Sequence, residues 1–528
     1  MRFLTVLFLS VLLTSCAKRG FITGGSKDTI PPIIKLTIPK NFTTKFNANE
    51  IILSFDEYVK LKDVNKQLII SPPMAKQPDI SPLIATKQIK IKLKEDLLPN
   101  TTYSFNFGQS IQDNNENNVL QQFKYIISTG EYIDSLSLKG VIKDAYSKKV
   151  DNFVSIMLYE KDEKYSDSIV YKEKPRYITN TLDSAKTFVL NNLKAGKYML
   201  VALKDVNNNF KFDSKIDKIG FYNQTITIPD SSVYQLELFK EEQPLTTNRP
   251  FQSANNKITI GYNGKLQKPT IELKTNSETL PITVTQLHKK DSLQVWFKPQ
   301  TLDSLQLKFK QHNYSKDYTV MLKSQKTDTL TITPSNNTVL HFRETFSVLS
   351  STPLVKIDES KIQFTNKDSV AVNFKTIYNK ETQQIDFDFT KEPLEKYKII
   401  LNKGAFTDMF DTVNDSVTYN FNTKNASDYG NLKLNLTGVR AFPIIIELTD
   451  SKGNVKAAAY STKETTIDFN LLEPLLYIVR IIYDDNKNGV WDTGNYLNRK
   501  QTEEVFYNSI DIDVRTNWDV NQTINLGY

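Results

Sequence analysis

The chain has a single cysteine in 528 residues, Cys16, so no disulfide can form within it. Histidine is almost as scarce. His288, His312 and His341 lack the spacing of a metal-ligand set or a catalytic base, and each reads as a surface or strand residue. H-E-x-x-H, G-x-S-x-G, the P-loop and G-x-G-x-x-G are all missing, which removes the readable signatures of zinc hydrolases, serine hydrolases and nucleotide enzymes. Carboxylates are plentiful, but a glycosidase pair is defined by separation in space rather than in sequence. Beyond Leu13 no apolar run approaches the roughly 18 residues of a membrane-spanning helix. The 67 basic residues exceed the 59 acidic ones by a margin spread along the chain. A net +8 so diluted is a solvated surface, and no nucleic-acid partner is expected, because that would need clustering.

Helical periodicity is nearly absent as well, and alternation of period two takes its place. Glu50-Ile-Ile-Leu-Ser-Phe55, Gln88-Ile-Lys-Ile-Lys-Leu93, Tyr103-Ser-Phe-Asn-Phe107, Ser304-Leu-Gln-Leu-Lys-Phe309 and Asn431-Leu-Lys-Leu-Asn-Leu436 each place apolar residues on one face and polar residues on the other. Turns rich in Asn, Asp, Gly and Lys recur about every ten residues. This predicts an all-β chain of antiparallel sandwiches in series. Hydrophobic content of 39% and a mean hydropathy of −0.40 are ordinary for globular domains. The length implies about three to five of them.

The first residues set the compartment. Met1-Arg2 is a short basic start, and Phe3 to Leu13 is an apolar run of about eleven residues, which suits the h-region of a signal peptide. Leu13-Thr14-Ser15-Cys16 follows and resembles the bacterial lipobox, in which the cysteine is diacylated and becomes the new N-terminus. The resemblance implies that 1–15 is removed, that Cys16 carries lipid, and that 16–30 is a tether stiffened at Pro31-Pro32. Two or three acyl chains make such an anchor effectively permanent. Ala17 after the cysteine fits sorting to the outer membrane, while Lys18-Arg19-Gly20 leaves the leaflet open.

From 31 to 130 the order of Ile51-Ile-Leu-Ser-Phe-Asp-Glu57, Leu98-Pro-Asn-Thr-Thr-Tyr103 and Asp113 before Phe123 resembles the SbsA type of bacterial Ig-like domain, with Asp113 to Asn117 lacking that hairpin's glycine. Thr23 to Pro32 looks like the opening of Bacteroidota lipoproteins with this domain. Residues 136–240, opening Leu136-Ser-Leu138-Lys-Gly140-Val141, resemble the transthyretin-like or carboxypeptidase-regulatory sandwich. A β module without a family mark spans 250–333, a degenerate Ig-like domain 346–424, and a repeat of the second domain 431–528. The repeat rests on two sets of matches. Leu136, Leu138, Gly140 and Val141 pair with Leu434, Leu436, Gly438 and Val439. Asn191, Leu193, Tyr198, Asp205, Asn207, Asn209 and Asp213 pair with Asn470, Leu472, Tyr477, Asp484, Asn486, Asn488 and Asp492, every pair at the same offset.

The aligned loops carry the sharpest local chemistry. Asp205, Asn207, Asn209 and Asp213, and again Asp484, Asn486, Asn488 and Asp492, place oxygens at positions 1, 3, 5 and 9 of a calcium-loop pattern. Neither loop has Glu at position 12, where Ile216 and Asn495 stand, although Asp217 lies one further on. The flanks are strands, so this is no EF-hand. Two readings stay open: a weak calcium cage, better at the second loop because Gly489 keeps the turn glycine that Phe210 replaces, or a hairpin whose side chains bond their own backbone. No cofactor is required under the second. Trp296, Trp491 and Tyr496 are either sugar-stacking platforms or core, with core favoured.

A diffuse pattern of Asp before Ser or Thr and then an aliphatic or Ala residue occurs at Thr29, Ser135, Ser168, Ser184, Ser292, Ser304, Thr329, Ser369, Thr412 and Ser416. It resembles the O-glycosylation sequon of exported Bacteroidota proteins and equally marks turn-to-strand entries. Together these features point to a non-enzymatic, lipid-anchored envelope protein, a scaffold or binding subunit at the outer membrane accessory to an assembly or secretion complex. The alternative is a glycan-binding lipoprotein of a nutrient-uptake system.

Overall fold

The computed structural model describes residues 27–182, 186–275, 278–335 and 338–527. Cys16 and Ser184 lie outside the described residues. Strand is almost the only regular secondary structure of the described chain, arranged as pairs of sheets packed face to face. Alternation does this directly. In Thr86–Lys92, Ile89 and Ile91 are buried and Lys90 and Lys92 exposed, and in Gly430–Thr437 Leu432, Leu434 and Leu436 point inward. Each fully buried side chain of this size contributes about 1.5–3 kcal/mol.

In the first module Ile34–Ile38, Glu50–Leu61, Thr86–Lys92 and Asp79–Ser81 form one sheet, with Ile111–Asp113 also paired to Glu50–Leu61. Ile69–Ser71, Thr102–Asn106 and Lys124–Ser128 form the other. Leu53, Phe55, Ile91, Phe105, Tyr125 and Ile127 meet between them. Two locks recur in the fourth module. The Tyr103 hydroxyl accepts from Leu98 N at 2.9 Å and the Tyr397 hydroxyl from Glu392 N at 2.8 Å. Thr129 Oγ1 accepts from Thr101 N and Thr423 Oγ1 from Glu395 N. All four equivalences hold at one constant offset along the chain, which makes the weak likeness of these two regions a shared architecture. The missing hairpin glycine is replaced by Asn117, which takes φ 67 while Asp113 accepts from Glu116 N, Asn117 N and Asn118 N.

The second and fifth modules share strand order throughout. Tyr177–Asn180, Ser155–Glu160, Gly196–Lys204 and Lys218–Phe221 correspond to Val455–Ser461, Ile444–Thr449, Leu475–Tyr483 and Val505–Tyr507. In each opposing sheet the first strand of the module runs parallel to the last, Leu136–Asp144 with Val233–Leu238 and Gly430–Thr437 with Asp519–Asn525. The offset that relates Gly196–Lys204 to Leu475–Tyr483 is shorter by seven than the one that relates Ile226–Ile228 to Ile512–Val514. The fifth module therefore carries seven extra residues, between Asp492 and Glu503.

Two expectations need correction. Gly140 does not match Gly438. Gly140 sits within a strand opposite Phe188, where a Cβ would strike that ring and Tyr234 O, whereas Gly438 follows its strand at φ 67. Phe188 corresponds to Ile467, whose partner is Leu434, so the true counterpart of Gly140 across this pairing is Leu434. A period-two motif slides by two or four residues without changing its inward face. The other correction concerns the third module, which begins at Thr246–Thr247, while Ile332–Pro334 pairs with Phe346–Ser350 and belongs to the fourth.

The insertion holds the second and fifth modules together. Tyr496 is fully buried in the second module's outer cluster with Met199, Phe221 and Phe239, edge-on to Phe221 at 5.2 Å. Tyr496 N donates to Glu241 Oε1 at 2.6 Å, and Thr493 Oγ1 donates to Lys240 O at 2.7 Å. The Arg499 guanidinium pairs with Asp167 and lies 5.0 Å over the Tyr496 ring. Beside it Tyr146 of the second module stacks between Trp491, at 4.7 Å, and the Arg480 guanidinium, at 4.0 Å. Glu447 neutralises the buried Arg480 at 2.6 Å. Tyr496→Ala is expected to weaken this docking by about 3–5 kcal/mol, the usual loss for a large buried ring. Calorimetry should then separate the shared transition of the two modules into two, and a single unshifted transition would contradict the docking.

Candidate functional site

Asp205 and Asp484 each follow the central strand of their module, and the two loops take the same backbone path. Asn208 and Phe210 lie at φ 53 and 58, and their counterparts Lys487 and Gly489 at φ 63 and 78. Phe210 thus accepts a left-handed conformation that Gly489 adopts without strain.

In the fifth module Asp484 is 1% exposed and fully engaged. Its Oδ1 accepts from Asn488 N at 3.0 Å, and its Oδ2 from Gly489 N at 2.8 Å and the Tyr460 hydroxyl at 2.9 Å. Burial pushes this carboxyl up, but donation from Gly489, Tyr460 and Asn488 outweighs it and holds the group below the usual range. Asn486 and Asn488 turn their amide nitrogens toward Asp492 Oδ2, the latter at 2.7 Å. In the second module Asp205 Oδ2 accepts from Phe210 N at 2.6 Å, while its buried Oδ1 has no partner. Burial pushes this carboxyl up, and the neighbouring Asp217 adds to the shift.

A further carboxylate ties each loop to the strand that follows. Asp217 accepts from Val206 N at 2.9 Å and Asp213 N at 2.8 Å. Glu503 accepts from Asp485 N and Asp492 N, both at 2.9 Å. Val206 and Asp213 are the counterparts of Asp485 and Asp492 at the offset of the loops, so Asp217 and Glu503 do one job. Glu503 escaped sequence reading because the insertion displaces it; the signal was an acid immediately ahead of the next strand in both copies.

Among the described residues no three His, Cys, Asp or Glu side chains gather as a metal-binding group. In the fifth module the loop as folded is closed by its own backbone amides, and a cation at Asp484 would have to displace those donors. Asn207 is exposed, Asn209 bonds Lys211 N, and Asp213 bonds Lys215 N. The other singled-out residues are dispersed. Trp296 is buried with its indole on Thr285 Oγ1, Tyr496 is buried, and Trp491 is half-buried on Tyr146. His341 bonds the Tyr429 hydroxyl between the fourth and fifth modules, while His288 and His312 are exposed. Thr29, Ser135, Thr329, Ser369 and Ser416 are exposed, and Ser168, Ser292, Ser304 and Thr412 half-buried. Ser292 and Ser304 begin strands.

Residues 28–129 match the family described as a bacterial Ig-like domain. No curated protein matches the chain. Among solved structures the chain is similar to surface layer protein SbsC, domains 1–6, at 11% identity over 92% of this chain and 67% of that one, with a TM-score of 0.16. It is similar to BcpA, the major pilin subunit of Bacillus cereus, at 13% identity over 74% and 99%, TM-score 0.14. It is also similar to the Bacteroides ovatus mixed-linkage glucan utilization locus protein SGBP-B, at 10% identity over 72% and 94%, TM-score 0.18. The chain is a multidomain β-sandwich protein whose residues 28–129 match a bacterial Ig-like domain.

Two measurements follow from the loop geometry. Because Asp484 sits below its ordinary range, its stabilisation is complete above the unfolded-state value near 4 and is lost as pH falls through the folded one. Asp484→Asn should cost about 1–3 kcal/mol at pH near 7, the price of a buried hydrogen-bond partner lost. The gap between wild type and variant in urea melts should narrow below pH of about 4, whereas a gap independent of pH would contradict the assignment. For calcium, a cage requires a rise of several degrees in melting temperature with millimolar cation over chelator. The amide-closed loops predict equal temperatures, and a rise abolished by Asp484→Ala with Asp492→Ala would establish the cage instead.

Proposed function

We propose that this is a non-enzymatic, lipid-anchored cell-envelope protein, a multidomain scaffold or binding subunit at the outer membrane that serves an envelope assembly or secretion complex. The observation that carries the reading is the docking of the fifth module onto the second, which joins distant parts of the chain in one body. A body so braced suits a scaffold presenting surfaces at a fixed distance from an anchor. The lone cysteine behind an apolar run supports the anchor, and the scarcity of clustered titratable groups supports a role without catalysis. Under this reading no cofactor is required, and calcium at the two Asp/Asn loops is decided by the melting comparison above.

Cys16→Ser is the decisive variant. Metabolic labelling with an alkynyl fatty acid should mark the wild-type chain and leave the variant unmarked, and the variant should leave the membrane fraction. Label retained by the variant, or membrane association unchanged without it, would overturn the anchored reading.

A further inference from the structure

The first module meets the second with only one of its two sheets. Ile69–Ser71 and Thr102–Asn106 face the strands Tyr177–Asn180 and Thr187–Leu193. Ile178 N donates to Ser71 Oγ at 3.0 Å, and Arg176 Nη2 to Thr101 Oγ1 at 3.2 Å. The other sheet, which holds Ile34–Ile38, Glu50–Leu61 and Thr86–Lys92, turns its outer face away from this junction. Ile52 and Ser54 are half-buried there, and Gln88 and Lys90 are exposed.

Register fixes what that outer face carries. Thr37 pairs with the buried Leu53, so its neighbours Leu36, opposite Ser54, and Ile38, opposite Ile52, point outward. Ile33 joins them, because Asp56 N donates to Ile33 O one residue beyond the inward pair of Ile34 and Phe55. Ile33, Leu36 and Ile38 thus form a column of aliphatic side chains on an edge strand, 58%, 53% and 51% exposed. Ile30 and Phe42, at the two ends of the same segment, are exposed as well. Single exposed hydrophobes are ordinary, but an aligned group of them marks a surface that meets something.

The length of chain ahead of this strand says what the column meets. Cys16 stands fourteen positions before Ile30, and fourteen residues, even fully extended, span at most about 50 Å. An acylated Cys16 therefore keeps the face close to the bilayer at a high effective concentration. We infer that the first module seats this sheet face on the phospholipid surface, with Ile33, Leu36 and Ile38 entering the boundary between headgroups and acyl chains. The inference rests on the anchored reading above and adds an orientation to it. Asp56 borders the column at Ile33, and Lys90 lies across Ile52 from Ile38, so charges of both signs flank it. Burial of apolar area drives the seating rather than attraction to anionic lipid, and salt does not weaken it. Because the second module is held by the opposite sheet, seating stands the remaining chain away from the bilayer.

The test places one fluorophore on the face. Cys16 is the only cysteine, so the chain from Ala17 onward, with a hexahistidine tag where the acylated residue stood, takes a single environment-sensitive label at Gln88→Cys. Gln88 is exposed and lies in one row with Ser54 and Leu36. The tag holds the chain on phosphatidylcholine vesicles that contain a nickel-chelating lipid. It replaces acylation, so this result and the fatty-acid labelling of Cys16 can fail separately. The label should shift to the blue and lose most of its emission when the lipid carries a nitroxide high on its acyl chains, equally in low and high salt. Leu36→Asn with Ile38→Asn should restore the emission at an unchanged melting temperature, since both side chains are exposed. The same label at the exposed Lys463→Cys of the fifth module should keep its emission. An unquenched label at Gln88→Cys, quenching that survives the double variant or vanishes in high salt, or equal quenching at Lys463→Cys would each overturn the proposal.

Discussion

The seating of Tyr496 and Arg499 in the second module is the contact on which the arrangement of the whole chain depends. Isolated sandwiches strung on short linkers are free to reorient unless their interface is large and well packed. Here a short insertion supplies that interface. Tyr496 fills a pocket among Met199, Phe221 and Phe239, and Arg499 closes it with Asp167. Arg480 and Trp491 add a second grip around Tyr146. Arg480 is almost fully buried, and such a charge is tolerable only because Glu447 and the Tyr146 ring meet it. The chain therefore folds back on itself, with the third and fourth modules spanning between the docked pair.

One device recurs at several of the sharp turns. A carboxylate accepts a hydrogen bond from one or more backbone amides of the turn and so helps to hold a left-handed residue in place. Asp113 does this for Asn117, Asp408 for Asp411, Asp205 for Phe210, and Asp484 for Gly489. The local cost of positive φ at Asn, Asp or Phe is offset by charge-assisted hydrogen bonds to amides that would otherwise be unpaired. Asp/Asn-rich spacing that resembles a cation loop arises naturally from this requirement, since both demand oxygens converging on a tight curl.

Period-two alternation was enough to read the sandwich fold, because burial of one sheet face dictates it residue by residue. The constant offset between the two copies located equivalent loops correctly, since hairpin tips admit few substitutes for Asp and Asn. The Leu-x-Leu-x-Gly pattern misaligned Gly140 because alternating strands carry no register of their own. Glu503 was hidden because the insertion shifts it from the offset the loops share, and the role of the insertion itself exists only when the second module receives Tyr496.

The docked pair is tested most directly by a distance measured in solution. Spin labels at exposed Lys164→Cys and Lys463→Cys, in a Cys16→Ser background, report the separation of the second and fifth modules by pulsed dipolar spectroscopy. A single narrow distance distribution that broadens when Tyr496→Ala is added is the predicted result. A broad distribution in the chain with Tyr496 intact, or a narrow one unmoved by its loss, would contradict the account.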